Sequence, residues 1–419
     1  MKNNLFFLLI AIVSVIGCTK ELDADEFTPC EDLNELVVTP SWSSSLHPGA
    51  NIFEPMEPKE YNDFLIYSHG HEQSQIITKR NLITGEIVFE KNIEGLDGSN
   101  NILHNNEIIF VEYGRILSLN LDDFEIRVIW EFEIYPQATM DEGLAIIDNR
   151  LVFPIHELVS ENNYQERLIS IDLENGNSET LYQWPDTTER RPNVKNFKLY
   201  KNTNGEKIIT LIYGNGPISF DYFETAKLES INLTTAEILM EVDLLPDSTK
   251  ILEVNSFEIY HEQVNIELIE KTDFAISLSS IEYRSYNTNT GVALWTNEYD
   301  TDGRVLYFKT YDEDRNSITL LVGSSILEVN LISGELVNEK LNIQGFRSYN
   351  NIQRGSEIIF TLNNQIKIVD LDISCITKVI KIESVETELN PLEYYIFYNE
   401  NRQEIYVYNQ TNFLAIPYE

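Results

Sequence analysis

Ile281-Glu282-Tyr283-Arg284-Ser285-Tyr286 runs into Asn287-Thr288-Asn289-Thr290-Gly291 and leaves through Val292-Ala293-Leu294-Trp295. Apolar and polar residues alternate on either side of a polar turn that closes on glycine, the pattern of a β-hairpin. The arrangement occurs seven times, its turn opening on Asn81, Asn120, Asp172, Asn232, Asn287, Asn330 and Asp370. Successive spacings, by subtraction, are 39, 52, 60, 55, 43 and 40 residues. Four copies place glycine four residues on, at Gly85, Gly176, Gly291 and Gly334. Glycine there lets the turn reach positive φ without a Cβ clash. Phe124, Ala236 and Ser374 hold that place in the other copies. A repeat of this period in a chain that reads as all-β predicts a propeller with one repeat per blade.

Leu327-Glu328-Val329-Asn330-Leu331-Ile332-Ser333-Gly334-Glu335 and Tyr286 to Trp295 resemble the repeats of the quinoprotein-like (PQQ-type) β-propeller superfamily. In that family a D-x-x-T-G-x-x-x-W stretch joins the last two strands of each four-stranded blade. The likeness spans Leu36 to Glu419, with Phe89, Trp184 and Trp295 near the family's tryptophan position. The superfamily holds cofactor-dependent dehydrogenases and cofactor-free binding lipoproteins, among them the propeller lipoprotein of the outer-membrane assembly machine. The quinone enzymes use a disulfide of adjacent cysteines. This chain has no adjacent cysteines, so no cofactor is expected.

Four strands per blade, A to D, can be written onto the sequence. The sixth blade reads Val305–Tyr311, Ser317–Val322, Ile326–Asn330 and Glu335–Leu341, and the seventh reads Phe346–Ile352, Glu357–Leu362, Gln365–Asp370 and Cys375–Ile382. Three strands follow, Leu392–Tyr398, Glu404–Asn409 and Phe413–Tyr418, without a fourth. At the other end Glu35–Leu46, with Val37, Val38 and Trp42, precedes the first blade. It is expected to complete an eighth blade and so pair the open edge. Seven blades is the alternative, should two weak repeats be one. The expected division is 1–17 signal peptide, 18–34 acidic tether and 35–419 a single propeller domain.

The 419 residues carry 30 basic against 68 acidic side chains, net −38. Such a chain repels phosphate, so nucleic acid is excluded as an expected partner, as is direct contact with an anionic membrane. Lys2 and the apolar run Leu5–Ile16 form a targeting segment, too short to span a bilayer. It ends Val15-Ile16-Gly17-Cys18, which resembles the bacterial lipobox and implies acylation of Cys18. Thr19 to Glu26 is similar to the surface-export signals of Bacteroidetes lipoproteins. Thr19 stands where an inner-membrane retention aspartate would be. The expected address is therefore the outer membrane, on its periplasmic or cell-surface side. Cys30 and Cys375 form either a bridge that pins the tether near the ring closure or two unpaired thiols.

In a propeller the A–B and C–D turns share one face, and the B–C and D–A loops share the other. The long connections are B–C at Glu157–Glu166, Gly214–Ala226 and Glu270–Leu278, and D–A at Pro185–Val194 and Leu245–Leu252. They carry Tyr164, Tyr213, Phe220, Tyr222 and Phe223 with Arg190 and Arg191, residue types enriched at binding hot spots. The alternative role for these aromatics is packing the loops onto the ring. His69-Gly70-His71 lacks a third ligand. Glu298 to Gly303 fails as a calcium loop because Lys309 stands where a glutamate is needed, and Asp312 to Asn316 reads as an ordinary turn. No metal site is expected. No G-x-S-x-G, Walker A or HExxH motif is present, so no catalytic residue is assigned. Asp186-Thr187-Thr188 and Asp247-Ser248-Thr249 resemble Bacteroidetes O-glycosylation acceptors. The expectation is a monomeric, lipid-anchored propeller that binds an envelope protein or glycan without catalysis. The alternative is a propeller enzyme acting on a carbohydrate or alcohol.

Overall fold

The computed structural model describes residues 29–45, 56, 58–71, 74–94, 96–112, 115–131, 138–140, 143–160, 163–184, 192–215, 222–223, 225–245, 251–260, 262–271, 280–300, 309–312, 315–322, 325–341, 351–362, 365–373, 375–382, 395–408 and 412–418. They form eight antiparallel blades in chain order: 59–94, 96–131, 138–183, 192–243, 251–300, 309–341, 351–382 and 395–417. The count is eight, not the alternative seven. First strands of neighbouring blades touch: Ala145–Ile147 lies against Pro192–Lys201, that strand against Ile251–Tyr260, and Asn351–Arg354 against Tyr395–Asn399. Strand A therefore lines the centre of the ring and strand D its rim.

The repeated turn is built the same way each time. The Asn81 side-chain oxygen accepts the N–H groups of Ile83 (2.8 Å) and Thr84 (3.0 Å), and Gly85 N–H donates to the Asn81 carbonyl. Asn120, Asp172, Asn232, Asn287 and Asn330 repeat both features. This satisfies backbone donors that the tight turn takes out of the ladder. Among the described copies the fifth turn residue is left-handed with or without a side chain: φ is 71° at Gly334, but also 59° at Phe124 and 59° at Ala236. Gly334 has a second reason. A Cβ there would stand 2.6 Å from the Trp295 ring of the preceding blade, whose indole N–H donates to Leu331 O (3.0 Å). At the first joint the partner is smaller, Phe89, and Phe124 fills the space instead, its ring 4.0 Å from that of Phe89.

Strands B and C are buried on both sides, and each joint between blades holds its own apolar cluster. Ile66, Ile77, Ile108 and Phe110 fill the first joint, and Ile359, Ile368, Ile405 and Val407 fill the seventh. Leu65, Tyr67 and Leu82 of blade 1 meet Tyr406, Phe413 and Ala415 of blade 8, which closes the ring. Each fully buried side chain of this size contributes roughly 1.5–3 kcal/mol.

The N-terminal segment closes the ring as expected, with one correction. Only Trp42–Ser45 supplies the fourth strand of blade 8, pairing antiparallel with Asn412–Ala415. Glu35–Val38 belongs to a longer strand, Pro29–Val38, that adds to blade 7 as a fifth strand, parallel to Cys375–Ile382. Two blades are thus tied by one segment, and an edge that would otherwise offer unpaired groups is covered. The strand starts inside the stretch read as tether. Of the two cysteine alternatives the bridge holds: Cys30 and Cys375 are disulfide-bonded, with Cα atoms 5.2 Å apart. Among the described residues no helix is long and apolar enough to cross a membrane.

Candidate functional site

The face that carries the A–B and C–D turns is sewn shut. In every blade the backbone N–H just past the C–D turn opening, or its counterpart in blade 8, donates to a carbonyl at the A–B turn. Leu82 reaches Asp63, Leu121 reaches Asn106, Leu331 reaches Asn316 and Tyr418 reaches Gln403. Side chains then bridge every joint in turn. Tyr61 donates to Asp122 (3.1 Å), and His104 lies 3.0 Å from Asn149. Lys201 and Lys207 hold Asp148 at 2.7 and 2.9 Å. Thr203 donates to Glu262 (2.6 Å) and Tyr260 to Asn316 (2.6 Å). Arg315 pairs with Asp372 (2.9 Å), Tyr418 donates to Glu357 (2.6 Å) and Asn399 to Glu60 (2.8 Å). The two lysines hold the Asp148 carboxyl at about 2, below its ordinary 3.8. Much of this face's polar chemistry serves the ring itself.

The opposite face is uneven. In blades 2, 6 and 7 strands B and C have six residues each, as in Glu107–Glu112 and Arg115–Asn120. In blade 3 strand B is Arg150–Ser160, 11 residues, and in blades 4 and 5 it is Lys207–Asn215 and Gln263–Lys271, nine each. Three to five extra residues raise the tips by about 10–17 Å at 3.3–3.4 Å per residue. Blade 1 is intermediate, with eight residues in each of strands B and C at Phe64–His71 and Ser74–Asn81, so blades 3 to 5 form a wall that is highest at blade 3 and exceeds blade 1 by one strand-B residue at blades 4 and 5. The expected loop Glu157–Glu166 is corrected here: it is largely hairpin, with Leu158 opposite Tyr164 and Ser160 opposite Asn163.

Tyr164 sits in strand C of that hairpin. Tyr222–Phe223 forms a short strand paired with Leu252 and Glu253, so the B–C loop of blade 4 reaches across to strand A of blade 5. Arg190, Arg191 and Phe220 lie outside the described residues, as do Cys18, Asp186–Thr188 and Asp247–Thr249. Tyr213 is half-buried at the foot of the wall. Its ring stacks on Trp184 at 5.4 Å and 12°. Burial, then the carboxylates of Glu166 and Glu229, push its phenol up, so it stays protonated. Trp184 is 2% exposed, with its indole N–H on Glu229 (2.9 Å) and Tyr182 edge-on to its ring at 4.9 Å. Burial pushes the Glu229 carboxyl up; the Trp184 N–H opposes this and Glu241 adds to it. His156 Nδ1 lies 3.0 Å from Glu166, both side chains buried.

This cluster fixes the foot of the wall rather than presenting a ligand pocket. Sequence reasoning picked Tyr213 but missed Glu229, Glu166 and His156. Only His156 carried a signal, as a titratable residue in the mostly apolar strand Arg150–Ser160; Glu166 and Glu229 lie in strands rich in polar residues, where a further carboxylate does not stand out. Among the described residues no group of three or more His, Cys, Asp or Glu side chains is placed to hold a metal.

The chain is an eight-bladed β-propeller of four-stranded blades. No protein-family model matches its sequence, and no curated protein matches it. Solved structures do resemble it. The computationally designed Ika8 protein superposes with a TM-score of 0.56 at 11% identity, over 91% of this chain and 100% of that one. The Dos1 propeller gives 0.56 at 11% identity, over 90% and 94%. BamB from Moraxella catarrhalis gives 0.50 at 10%, over 90% and 99%. At these identities the likeness is one of fold.

Proposed function

We propose that this protein is a lipid-anchored, non-catalytic binding protein of the outer membrane that holds an envelope protein or glycan against the wall of blades 3 to 5. The observation that carries the reading is the contrast between faces. One face uses its polar groups to bridge all eight joints, whereas the other carries its longest B strands in three adjacent blades, 11 residues in blade 3 and nine in blades 4 and 5 against eight in blade 1 and six in blades 2, 6 and 7. Long segments on a rigid scaffold are where binding residues gather. The anchor rests on the lipobox-like Val15-Ile16-Gly17-Cys18.

Affinity capture with envelope extract supplies the partner, and variants then locate the face. Alanine at Tyr222, Phe223 or Arg191 should cost about 2 kcal/mol or more, roughly thirtyfold in affinity. Arg315 is a poor control, because it pairs with Asp372 across a joint and with Glu328 within its own blade. Asn175→Ala and Thr235→Ala, at exposed turn tips, should leave affinity unchanged. Loss of binding in these controls, with the wall variants intact, would put the partner on the other face. Cys18→Ala should release the protein from membranes; undiminished membrane attachment in fractionation would remove the anchor.

A further inference from the structure

We propose that the turn face of blades 6, 7, 8 and 1 rests on the lipid surface that holds the anchor, which turns the wall of blades 3 to 5 away from the membrane. The proposal rests on the anchor reading given above and adds an orientation to it.

The first observation is where the chain enters the ring. Pro29 pairs with Ile376, and Cys30 is bonded to Cys375. Both contacts stand at the start of strand D of blade 7, immediately after its C–D turn. Strand Pro29–Val38 runs parallel to that strand, so its first residue, Pro29, stands at the turn face, at the rim. From Cys18 to Pro29 is 29 − 18 = 11 residues. Even fully extended, that length reaches at most about 36–40 Å, so an acylated Cys18 keeps this rim close to the bilayer.

The second observation is independent of the anchor and concerns the tips of the C–D turns. Blades 6, 7 and 1 carry one isoleucine in the tip pair, in Ile332-Ser333, Asp372-Ile373 and Ile83-Thr84, and Ile332, Ile373 and Ile83 are 51%, 60% and 55% exposed. Blade 8 has no C–D turn, because its fourth strand is Trp42–Ser45. Blades 2 to 5 carry Asp122-Asp123, Glu174-Asn175, Thr234-Thr235 and Asn289-Thr290 at the same places. Turn tips in water are ordinarily polar, as these four are. The three apolar tips fall in adjoining blades around the point where the chain enters, with Ile373 two residues from Cys375. The chain's net charge of −38 opposes anionic headgroups, so the surface that fits is zwitterionic. Attachment comes from the acyl chains; the isoleucine tips set which way the ring faces.

The test uses the full mature chain with its Cys18 thiol coupled to a maleimide phospholipid in phosphatidylcholine–phosphatidylethanolamine vesicles, so that attachment is ensured. An environment-sensitive fluorophore is carried on an unnatural side chain at position 83, 332 or 373, or at 175 or 235 as controls. Quenching by brominated acyl chains is expected to be severalfold stronger at the first three positions. With the fluorophore at one of these three positions, aspartate at the other two (from Ile83→Asp, Ile332→Asp and Ile373→Asp, taken in pairs) should abolish that difference while the protein still floats with the vesicles. Equal quenching at all five positions on attached protein overturns the orientation and leaves the anchor reading standing. Mass spectrometry of the cellular protein separates the other failure: a Cys18 without acyl mass removes the anchor and the orientation with it.

Discussion

The Cys30–Cys375 bridge joins residues 345 apart, the two ends of the ring, and its removal should act mainly through the unfolded chain. In the folded state both cysteines are already placed by ladder pairing, Pro29 with Ile376 and Asn34 to Val38 with Lys378 to Ile382. Trp42–Ser45 adds a second tie to blade 8. Cutting the bridge therefore leaves the native contacts in place and frees the denatured ensemble. The loop-closure relation for a loop of 345 residues gives about 19 cal/mol/K, or roughly 6 kcal/mol at 25 °C, as the upper value. Residual order in the denatured chain brings the expected loss to about 3–6 kcal/mol. Over 419 residues at about 2.1 cal/mol/K each, the corresponding fall in Tm is about 3–7 °C. The comparison is made in a Cys18→Ala background, so that only this pair can bond. Cys30→Ser with Cys375→Ser is set against the parent in guanidinium titrations followed by tryptophan fluorescence and circular dichroism. Reductant should move the parent to the variant's midpoint and leave the variant where it is. Coincident midpoints for oxidised parent and double variant would refute the reasoning.

Two further outcomes follow from the turn face. Hydrogen bonds from Lys201 and Lys207 lower the Asp148 carboxyl from 3.8 to about 2. A depressed carboxylate contributes stability that is present above pH 3.8 and is lost as pH falls toward about 2. Asp148→Asn should therefore flatten the acid limb of the stability profile in that window, measured by denaturant titration at stepped pH; an unchanged limb removes the lysine clamp from the account. Gly334→Ala meets both a φ of 71° and the Trp295 ring, whereas Gly205→Ala meets a φ of 79° with nothing within 4 Å. The first should cost about 2–4 kcal/mol and the second about 1, compared by thermal melts; equal losses would mean that the tryptophan contact carries no weight.

What was legible in the sequence was local. The Asn/Asp turn is specified by side chain to backbone bonds that span three residues, so its seven copies are visible in the sequence and mark the blades. The missing fourth strand after Phe413–Tyr418 pointed to the segment containing Trp42. The parallel fifth strand was not legible, because an edge strand added to a finished blade needs no alternation of its own. The hairpin at Glu157–Glu166 read as loop for a related reason. Above the ring a hairpin loses its buried neighbours, and the polar run Ser160-Glu161-Asn162-Asn163 then resembles a connection. The bridges that sew the joints join residues such as Arg315 and Asp372, 57 positions apart, and no local pattern marks them. Of the candidate binding residues, Tyr213 was found by composition, but its geometry could not be. Only the fold shows that its ring packs against Trp184 of the preceding blade.

The division of labour between the faces follows from how the ring distributes its stability. Each joint has an apolar cluster and a polar bridge of its own, so no joint depends on a long connection for closure. Lengthening the B–C hairpins of blades 3 to 5 then adds height without disturbing the ring, provided the new strands are fixed at their feet. At the joint of blades 3 and 4 the footing is Trp184, stacked on Tyr213 and bonded to Glu229. At the joint of blades 4 and 5 it is Arg284, which donates to Leu244 O at 2.8 Å and pairs with Glu282 at 2.7 Å. These polar groups are costly to bury unless paired, and they stand where the wall meets the ring. Their placement is what a rigid raised surface requires, and it is the physical support for the binding face proposed above.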